Sequence, residues 1–579
     1  MNYREAYESW LNDPYFDEAT KEELRSVAGD ENEIKERFYM DLEFGTAGLR
    51  GIIGAGTNRM NIYTVRKATQ GLANYIIGVG AQEKGVAIAY DSRHMSPEFA
   101  EEAALCLAAN GVKAYVFESL RPTPELSFAV RHLGCTAGIN ITASHNPSEY
   151  NGYKVYWADG AQITPPHDSG ITKEVRAVED YSSVKTMARA DAEAAGLYVP
   201  IGAAVDDAYI AELKKQVIHP EAIKEQAANL KIVYSPLHGT GNIPARRILS
   251  ELGFEHVYVV PEQEKPDGSF PTVSYPNPEA DEAFVLGLAL AKEVDADLVL
   301  ATDPDADRLG VRVKDPKTGE YHTLTGNMSG CLLAEYEISQ RKEKYGLPSD
   351  GALISTIVST DMAGAIAKYY GVSFIQVLTG FKYIGEQILK FETEGKGTYL
   401  FGFEESYGCL IGTYARDKDA IVATMALCEA AAYYKSQGKS LWDVMIEMYE
   451  RYGYTEDTVK SFTMKGIDGL EKIASIMKTL RENPPRAIGS AEVASFRDYK
   501  TGDIVDYATG AHSATGLPAS NVLYFDLNDG SWVCVRPSGT EPKIKFYYGV
   551  RGTSFADADA RSGKLGAAVE EDLLKSAGI

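Results

Sequence analysis

Apolar and polar positions alternate along most of this chain in blocks. A short apolar run gives way to a longer segment with helical spacing, and the cycle repeats. VAIAYD, with residues 87–91 at its heart, reads as a buried strand. Ser96-Pro97-Glu98 then supplies an N-cap, a proline in the first turn and an acid near the positive helix end. The helix EFAEEAALCLAAN stops at Gly111, a residue suited to a C-terminal stop. VKAYVFE and CTAGINIT follow as strands. Strands alternating with helices of this length predict parallel α/β units.

The element order recurs although the sequences do not repeat. KIVYS, HVYVV and DLVLAT are the strands of a second unit; ALISTIV, SFIQVL and TYLFGF are those of a third. After Tyr454 the alternation weakens. Pro484 to Pro518 is rich in turn residues, and WVCVRPSGTEPKIKFYYGV then reads as strand, tight loop and strand before a C-terminal helix. The expected fold is α/β: three similar domains with mixed, mostly parallel sheets, plus a smaller α+β C-terminal domain. The expected bounds are a helical N-terminal extension at 1–40 and domains at 41–205, 206–325, 326–455 and 456–579, with an Ala-rich stretch around 186–205 at the first boundary. In each α/β unit a strong strand runs straight into a polar loop: TASHNP (142–147), DPDADR (303–308) and EESYG (404–408). Ligands of open parallel sheets sit at the carboxyl ends of strands, so three such loops predict one composite site.

Composition narrows the chemistry. At 579 residues the chain exceeds a single core, and 45% hydrophobic with 24% charged residues is ordinary for a globular enzyme. The formal charge of −24 argues against nucleic acid as a partner and repels phosphate compounds, so an anionic substrate needs a local basic cluster. That cluster exists on paper: Arg50, Arg93, Lys154, Arg308, Lys382, Arg416, Lys418, Arg536, Lys543 and Lys545 all lie in or beside the loops, with Arg50, Arg308, Lys382 and Arg536 the foremost. The six cysteines form no CxxC pair and read as buried free thiols of a reducing compartment. The polar, acidic N-terminus is no signal peptide, and no apolar run approaches the roughly 18 residues of a spanning helix. A cytoplasmic protein with no membrane partner is expected.

Asp303, Asp305 and Asp307 alternate with small residues directly after a strand. Three clustered carboxylates repel one another unless a cation neutralises them, and hard oxygen donors favour magnesium or calcium. An EF-hand is excluded, because Arg308 and Lys314 occupy the places of its glycine and its glutamate. Arg308 is placed to guide a phosphate onto the metal. Ser144 sits at a strand-to-loop junction without a G-x-S-x-G elbow, which disfavours acyl transfer; beside a divalent cation it suits phosphoryl transfer. His145 and Lys154 are close enough in sequence to move protons there. Glu404 and Ser406 offer an acceptor and a donor for vicinal sugar hydroxyls, a metal role for Glu405 remaining open. Arg536, Ser538, Gly539 and Thr540 make a phosphate loop without the Walker lysine. HGTGN (238–242) imitates a dinucleotide loop, but Pro244 stands where the third glycine belongs, so it reads as tight helix–strand packing.

The loops GTAGLRG, TASHNP, DPDADR, GFEESYG and RPSGTEP, in this order, resemble the α-D-phosphohexomutase superfamily, most closely its long bacterial α-phosphoglucomutase branch. The resemblance implies four domains around a central cleft. It implies a phosphorylated Ser144, one Mg2+ held by Asp303, Asp305 and Asp307 with a phosphoserine oxygen, and sugar recognition by Glu404 and Ser406. Arg536, Ser538, Gly539 and Thr540 would grip the non-reacting phosphate. Arg50, His145, Lys154 and Lys382 would assist catalysis or phosphate contact. The reaction implied is exchange of phosphate between two positions of a sugar through glucose 1,6-bisphosphate, which also activates the enzyme. Sugar phosphates are the implied partners, and the chain is expected to be a monomer or weak homodimer. The fourth domain is expected to open and close as the bisphosphate reorients. Phe403 and Tyr407 depart from the Gly-Glu-x-Ser-Gly pattern of many relatives, which keeps mannose and pentose phosphates open, as well as a bisphosphate synthase and a non-catalytic sensor.

Overall fold

The computed structural model describes residues 2–44, 48–464, 466–538 and 543–574. Three helices open the chain, Tyr3–Asn12, Glu18–Ser26 and Glu31–Phe38. Asn2, Asp17 and Asp30 cap them by accepting N–H groups that the first turn leaves without a helical partner. Their apolar stripes meet in a small core of Tyr7, Trp10, Phe16, Leu24, Ile34 and Phe38, closed by Tyr63.

Two mixed sheets follow in one compact unit, made of Met1–Gly326, Ile384–Lys396 and Ser406–Trp442. The first sheet contains β1 (Gly48–Ile52), β2 (Val86–Tyr90), β3 (Ala114–Phe117), β4 (Ala137–Ile141), β5 (Tyr150–Trp157) and β6 (Tyr198–Ile201), in the order β1-β5-β4-β2-β3-β6. Strands β4, β2, β3 and β6 are parallel, while β5 and β1 run against them. The second sheet contains β7 (Lys231–Ser235), β8 (His256–Val259), β9 (Leu298–Thr302), β10 (Leu309–Lys314) and β11 (Tyr321–Leu324), in the order β11-β10-β9-β7-β8. Here β9, β7 and β8 are parallel and β10 and β11 antiparallel. Strands β4 and β9 thus hold the same place. Each is buried along its whole length, neighbours the central parallel strand, and turns back into an antiparallel partner. The serine loop joins β4 to β5, and the aspartate loop joins β9 to β10.

The second unit comprises Asn327–Tyr383, Gly397–Glu405 and Asp443–Ile579. Its β12 (Gly351–Thr356), β13 (Ser373–Val377) and β14 (Thr398–Glu404) are parallel with β12 central, so β14 holds the place of β4 and β9. β15 (Gly408–Leu410) belongs to the first unit. An antiparallel sheet completes the second unit: β16 (Tyr454–Thr463), β17 (Ala487–Ile488), β18 (Ala491–Asp498), β19 (Asp503–Asp506), β20 (His512–Ala514), β21 (Leu523–Leu527), β22 (Trp532–Pro537) and β23 (Lys543–Gly552). Helices Gly466–Glu482 and Phe555–Ala568 cover it through Ile476, Met477, Leu480 and Leu565, which pack on Phe525 and Phe546.

Two local expectations need correcting. The turn-rich segment Pro484–Pro518 carries four strands, because its turns alternate with polar, partly exposed runs that only their neighbours order. Ser96 is not the cap of its helix. Met95 holds the cap position in a left-handed conformation (φ 64°), and Ser96 lies inside the first turn, donating its hydroxyl to Asp91.

Candidate active site

The serine and aspartate loops meet inside the first unit. Ser144 is buried and left-handed (φ 52°), a conformation that costs a non-glycine residue roughly 1–2 kcal/mol. Its Oγ donates to Asp303 Oδ2 at 2.8 Å, and His145 Nδ1 lies 3.2 Å from Oγ. Asp303 Oδ1 accepts the N–H groups of Asp307 and Arg308 at 3.1 and 3.0 Å. Asp305 gives its Oδ2 to Lys154 Nζ and to the Thr123 hydroxyl, both at 2.8 Å. Asp307 turns its Oδ2 to Lys418 Nζ at 3.2 Å.

One oxygen remains on each of two carboxylates. Asp305 Oδ1 and Asp307 Oδ1 are buried without a hydrogen-bond partner. A buried acceptor left in this way costs about 1–3 kcal/mol. The three carboxylates each offer an oxygen within 4.8 Å of the others, so this group can hold a metal ion. Electrostatics points the same way. Burial, and then the charges of Asp305 and Asp307, push the Asp303 carboxyl well above the usual carboxylate range. Burial works against ionised Asp305 too, but the Lys154 ammonium and hydrogen bonds outweigh it and hold that group below its ordinary value. A cation among the three would remove the repulsion that Asp303 feels.

The loop HGTGN braces this geometry. Thr240 N donates to Pro304 O at 2.8 Å. A Cβ on Gly239 would fall 2.4 Å from Pro304 Cα, and one on Gly241 would fall 2.5 Å from Thr302 Oγ1. Both glycines are therefore needed for close packing, and what they pack against is the aspartate loop.

The family models match this chain in four consecutive pieces. They are the phosphoglucomutase/phosphomannomutase α/β/α domains I, II and III at residues 41–182, 207–319 and 325–452, and the C-terminal domain at 490–558. A phosphoglucomutase of Staphylococcus aureus is 37% identical over 527 residues, covering 91% of this chain and 92% of that one. The chain belongs to the phosphoglucomutase/phosphomannomutase family. Solved structures share the fold at lower identity. A phosphoglucomutase/phosphomannomutase family protein from Burkholderia thailandensis has a TM-score of 0.63 at 20% identity, over 91% of this chain and 97% of that one. The Paramecium phosphoglucomutase parafusin, in its open form, has a TM-score of 0.65 at 17% identity, over 92% of this chain and 95% of that one.

Of the residues singled out in this phosphohexomutase sequence, the first unit brings together Ser144, His145, Lys154, Asp303, Asp305 and Asp307. Arg50 Nη1 reaches Asn146 Oδ1 of the serine loop at 3.5 Å. Arg308 is ion-paired with Glu279 at 2.5 Å. Ser406 is half-buried beside Tyr407, which is left-handed (φ 67°) and accepts the Leu309 N–H at 2.9 Å. In the second unit, buried Glu404 accepts the Gly380 N–H at 2.8 Å, so the sugar loop is tied to the TGFK turn. Lys382 lies in the first turn of helix Phe381–Glu394, its ammonium 5.2 Å from the Tyr383 ring. Glu405 takes the Thr356 hydroxyl at 2.9 Å. Arg536 ends β22 opposite Lys545, and Ser538 N donates to Lys543 O at 2.7 Å; Gly539 and Thr540 lie outside the described residues.

Sequence reasoning named Lys418 only as one basic residue of many, and it missed Thr123. The register RDKDA directly after a buried strand was a usable signal for the first. No signal marked Thr123, whose role comes from standing at the start of helix Thr123–His132, with its N–H also bonded to Asp305 O at 2.9 Å. Arg416 is buried but serves Thr413, Ala415 and Glu392, outside the site. All six cysteines are buried and free. Among the described residues, no helix is long and apolar enough to cross a membrane.

Proposed function

We propose that this mutase interconverts glucose 1-phosphate and glucose 6-phosphate through a phosphoserine at Ser144 and a glucose 1,6-bisphosphate intermediate. The observation that carries the reading is the Ser144 Oγ, 2.8 Å from Asp303 in the carboxylate group. A serine between an acid triad and two ammonium groups has what phosphoryl transfer requires, namely position and charge balance.

In the forward half-reaction the bond between phosphorus and Ser144 Oγ breaks and one to a sugar hydroxyl oxygen forms. The hydroxyl proton passes to a side-chain base, a role we assign to His145 and Lys154, with Lys382 and Arg50 assisting or contacting phosphate. The bisphosphate then turns end for end and returns its other phosphoryl to Oγ. Asp303, Asp305 and Asp307 would hold one magnesium ion, which when bound neutralises the carboxylates and the charge on the transferring group. Glu404 and Ser406 are assigned to sugar hydroxyls, and Arg308, Arg536, Ser538, Gly539 and Thr540 to phosphate. We place the enzyme in the cytoplasm, where six free thiols stay reduced, acting on small sugar phosphates as a monomer or weak homodimer.

A coupled assay with glucose, mannose and deoxyribose 1-phosphates tests the sugar. The largest kcat/KM with glucose 1-phosphate is expected, and a larger value with either of the others overturns the preference. Intact-mass spectrometry tests the carrier: a phosphorylated Ser144 peptide is expected, and an enzyme that glucose 1,6-bisphosphate cannot charge refutes it.

A further inference from the structure

Strand β2 runs into Asp91, and two residues on stands Arg93, whose side chain is fully buried. Neither belongs to the reacting groups. The guanidinium instead crosses to the serine loop and donates to four of its carbonyls. Nη1 bonds Pro147 O at 2.8 Å and Tyr150 O at 3.0 Å, and Nη2 bonds Ser144 O at 2.6 Å and also Asn146 O. Its Nε faces Asp91 Oδ2 at 3.3 Å.

Asp91 works on the other end of the same serine. Its Oδ2 accepts the Thr142 hydroxyl at 2.6 Å, and Thr142 Oγ1 accepts the Ser144 N–H at 2.8 Å. One Asp–Arg pair therefore holds both backbone groups of Ser144, the C=O directly and the N–H through Thr142. A serine has no preference of its own for the left-handed region, so the surroundings must impose it. The fork geometry matters as much as the charge. A lysine has a single nitrogen, whereas the planar guanidinium reaches carbonyls spread over residues 144 to 150.

The clamp is also tied to the segment before the aspartate loop. The Phe270 ring lies 5.0 Å from the guanidinium carbon, and His94 Nε2 is 2.9 Å from Ser269 Oγ. A Cβ on Gly268 would fall 2.5 Å from His94 N. The serine loop is thus held in register with the chain that carries its acidic partners.

We infer that Asp91 and Arg93 form a positioning clamp that fixes Ser144 with its Oγ on the carboxylate group, and that sets kcat rather than affinity for sugar phosphate. The inference rests on Ser144 being the phosphoryl carrier.

The test compares full-length wild type, Arg93→Lys, Thr142→Val and Thr142→Ser, each treated with glucose 1,6-bisphosphate. Arg93→Lys is expected to lose about 100-fold in kcat, the scale of a misplacement of roughly 1 Å, with KM changed by less than about threefold. Thr142→Val, which cuts only the N–H arm, is expected to lose about tenfold, and Thr142→Ser to recover most of it. A kcat within about twofold of wild type in either damaged variant, or a loss carried by KM, overturns the clamp. If Arg93→Lys does not fold, the two Thr142 variants carry the test. Intact mass separates the two readings. A wild type that takes up no phosphoryl group refutes the carrier, whereas a charged wild type with fully active variants refutes the clamp alone.

Discussion

The loop after β4 turns its carbonyls onto a buried guanidinium, whereas the loop after β9 turns its carboxylates onto two ammonium groups and keeps two oxygens without a hydrogen bond. Both loops leave equivalent strands and both contain a left-handed non-glycine residue, Ser144 and Ala306. Their electrostatic solutions differ. The serine loop is complete within the protein, because every group that positions Ser144 is supplied by the chain. The aspartate loop is complete only with a cation. Rigidity in the first and incompleteness in the second divide the labour of phosphoryl transfer: one loop fixes the oxygen, the other waits for charge.

The sharpest way to break this contrast is to remove the fixed oxygen. Ser144→Ala should lower turnover by about 10⁴-fold or more, as loss of a covalent carrier does elsewhere. Because the carboxylates and the phosphate contacts remain, calorimetric titration should still detect sugar-phosphate binding. Near-normal turnover would remove the serine from the mechanism.

Next in size is the incomplete loop. Asp305→Ala should cost about 10²–10³-fold in kcat and abolish the magnesium dependence of the rate. A readout independent of turnover is available. Magnesium at about 100 times its dissociation constant should stabilise the wild type by about 2.7 kcal/mol through mass action, visible as a raised melting temperature. The variant should show no such rise. A rise equal to that of the wild type would place the metal elsewhere.

A smaller effect should come from the brace. Gly239→Ala puts a methyl group 2.4 Å from Pro304 Cα, so the aspartate loop must shift. Magnesium affinity should fall roughly tenfold, the scale of lost outer support at metal sites, while the serine loop keeps its geometry. Unchanged affinity in a magnesium titration would show that the two loops are braced independently of HGTGN.

Much of this site was legible because its reacting groups are local. DPDADR brings three carboxylates together within five residues, and any chain that buries them must neutralise them. TASHNP announces a strand-to-loop junction in the same way. The clamp was hidden for a physical reason. Arg93 serves carbonyls 51 to 57 positions away, and carbonyls carry no residue identity. Thr123 was hidden because a hydroxyl at a helix start is usually spent on its own turn. In the fold, the alternating strands and helices of the first three sheets were visible from apolar runs such as Leu298–Thr302, buried throughout. The strands His512–Ala514 and Asp503–Asp506 were not, because edge strands this short and exposed have no apolar face to read.

A third buried acid sharpens the comparison at its quiet end. Glu125, in the helix that starts at Thr123, is buried like the triad but faces no second ammonium. Its partner is Asp206, which Arg121 grips with two bonds of 2.8 and 2.9 Å. Burial first, and then the hydrogen bond with Asp206, push the Glu125 carboxyl well above its ordinary value, so it keeps a proton where the triad would take a cation. The sign of the consequence follows. The unfolded chain releases this proton near the ordinary glutamate value while the folded protein holds it, so the contribution to stability is full at low pH and shrinks as pH rises toward the raised value. Glu125→Gln keeps the donor toward Asp206 and removes the titration. It should match the wild type in thermal unfolding near pH 4 and exceed it increasingly toward pH 8, with magnesium dependence untouched. A variant less stable than the wild type at pH 8 would mean that Glu125 is ionised in the fold, and that burial without a cation does not suffice to keep a carboxyl neutral there.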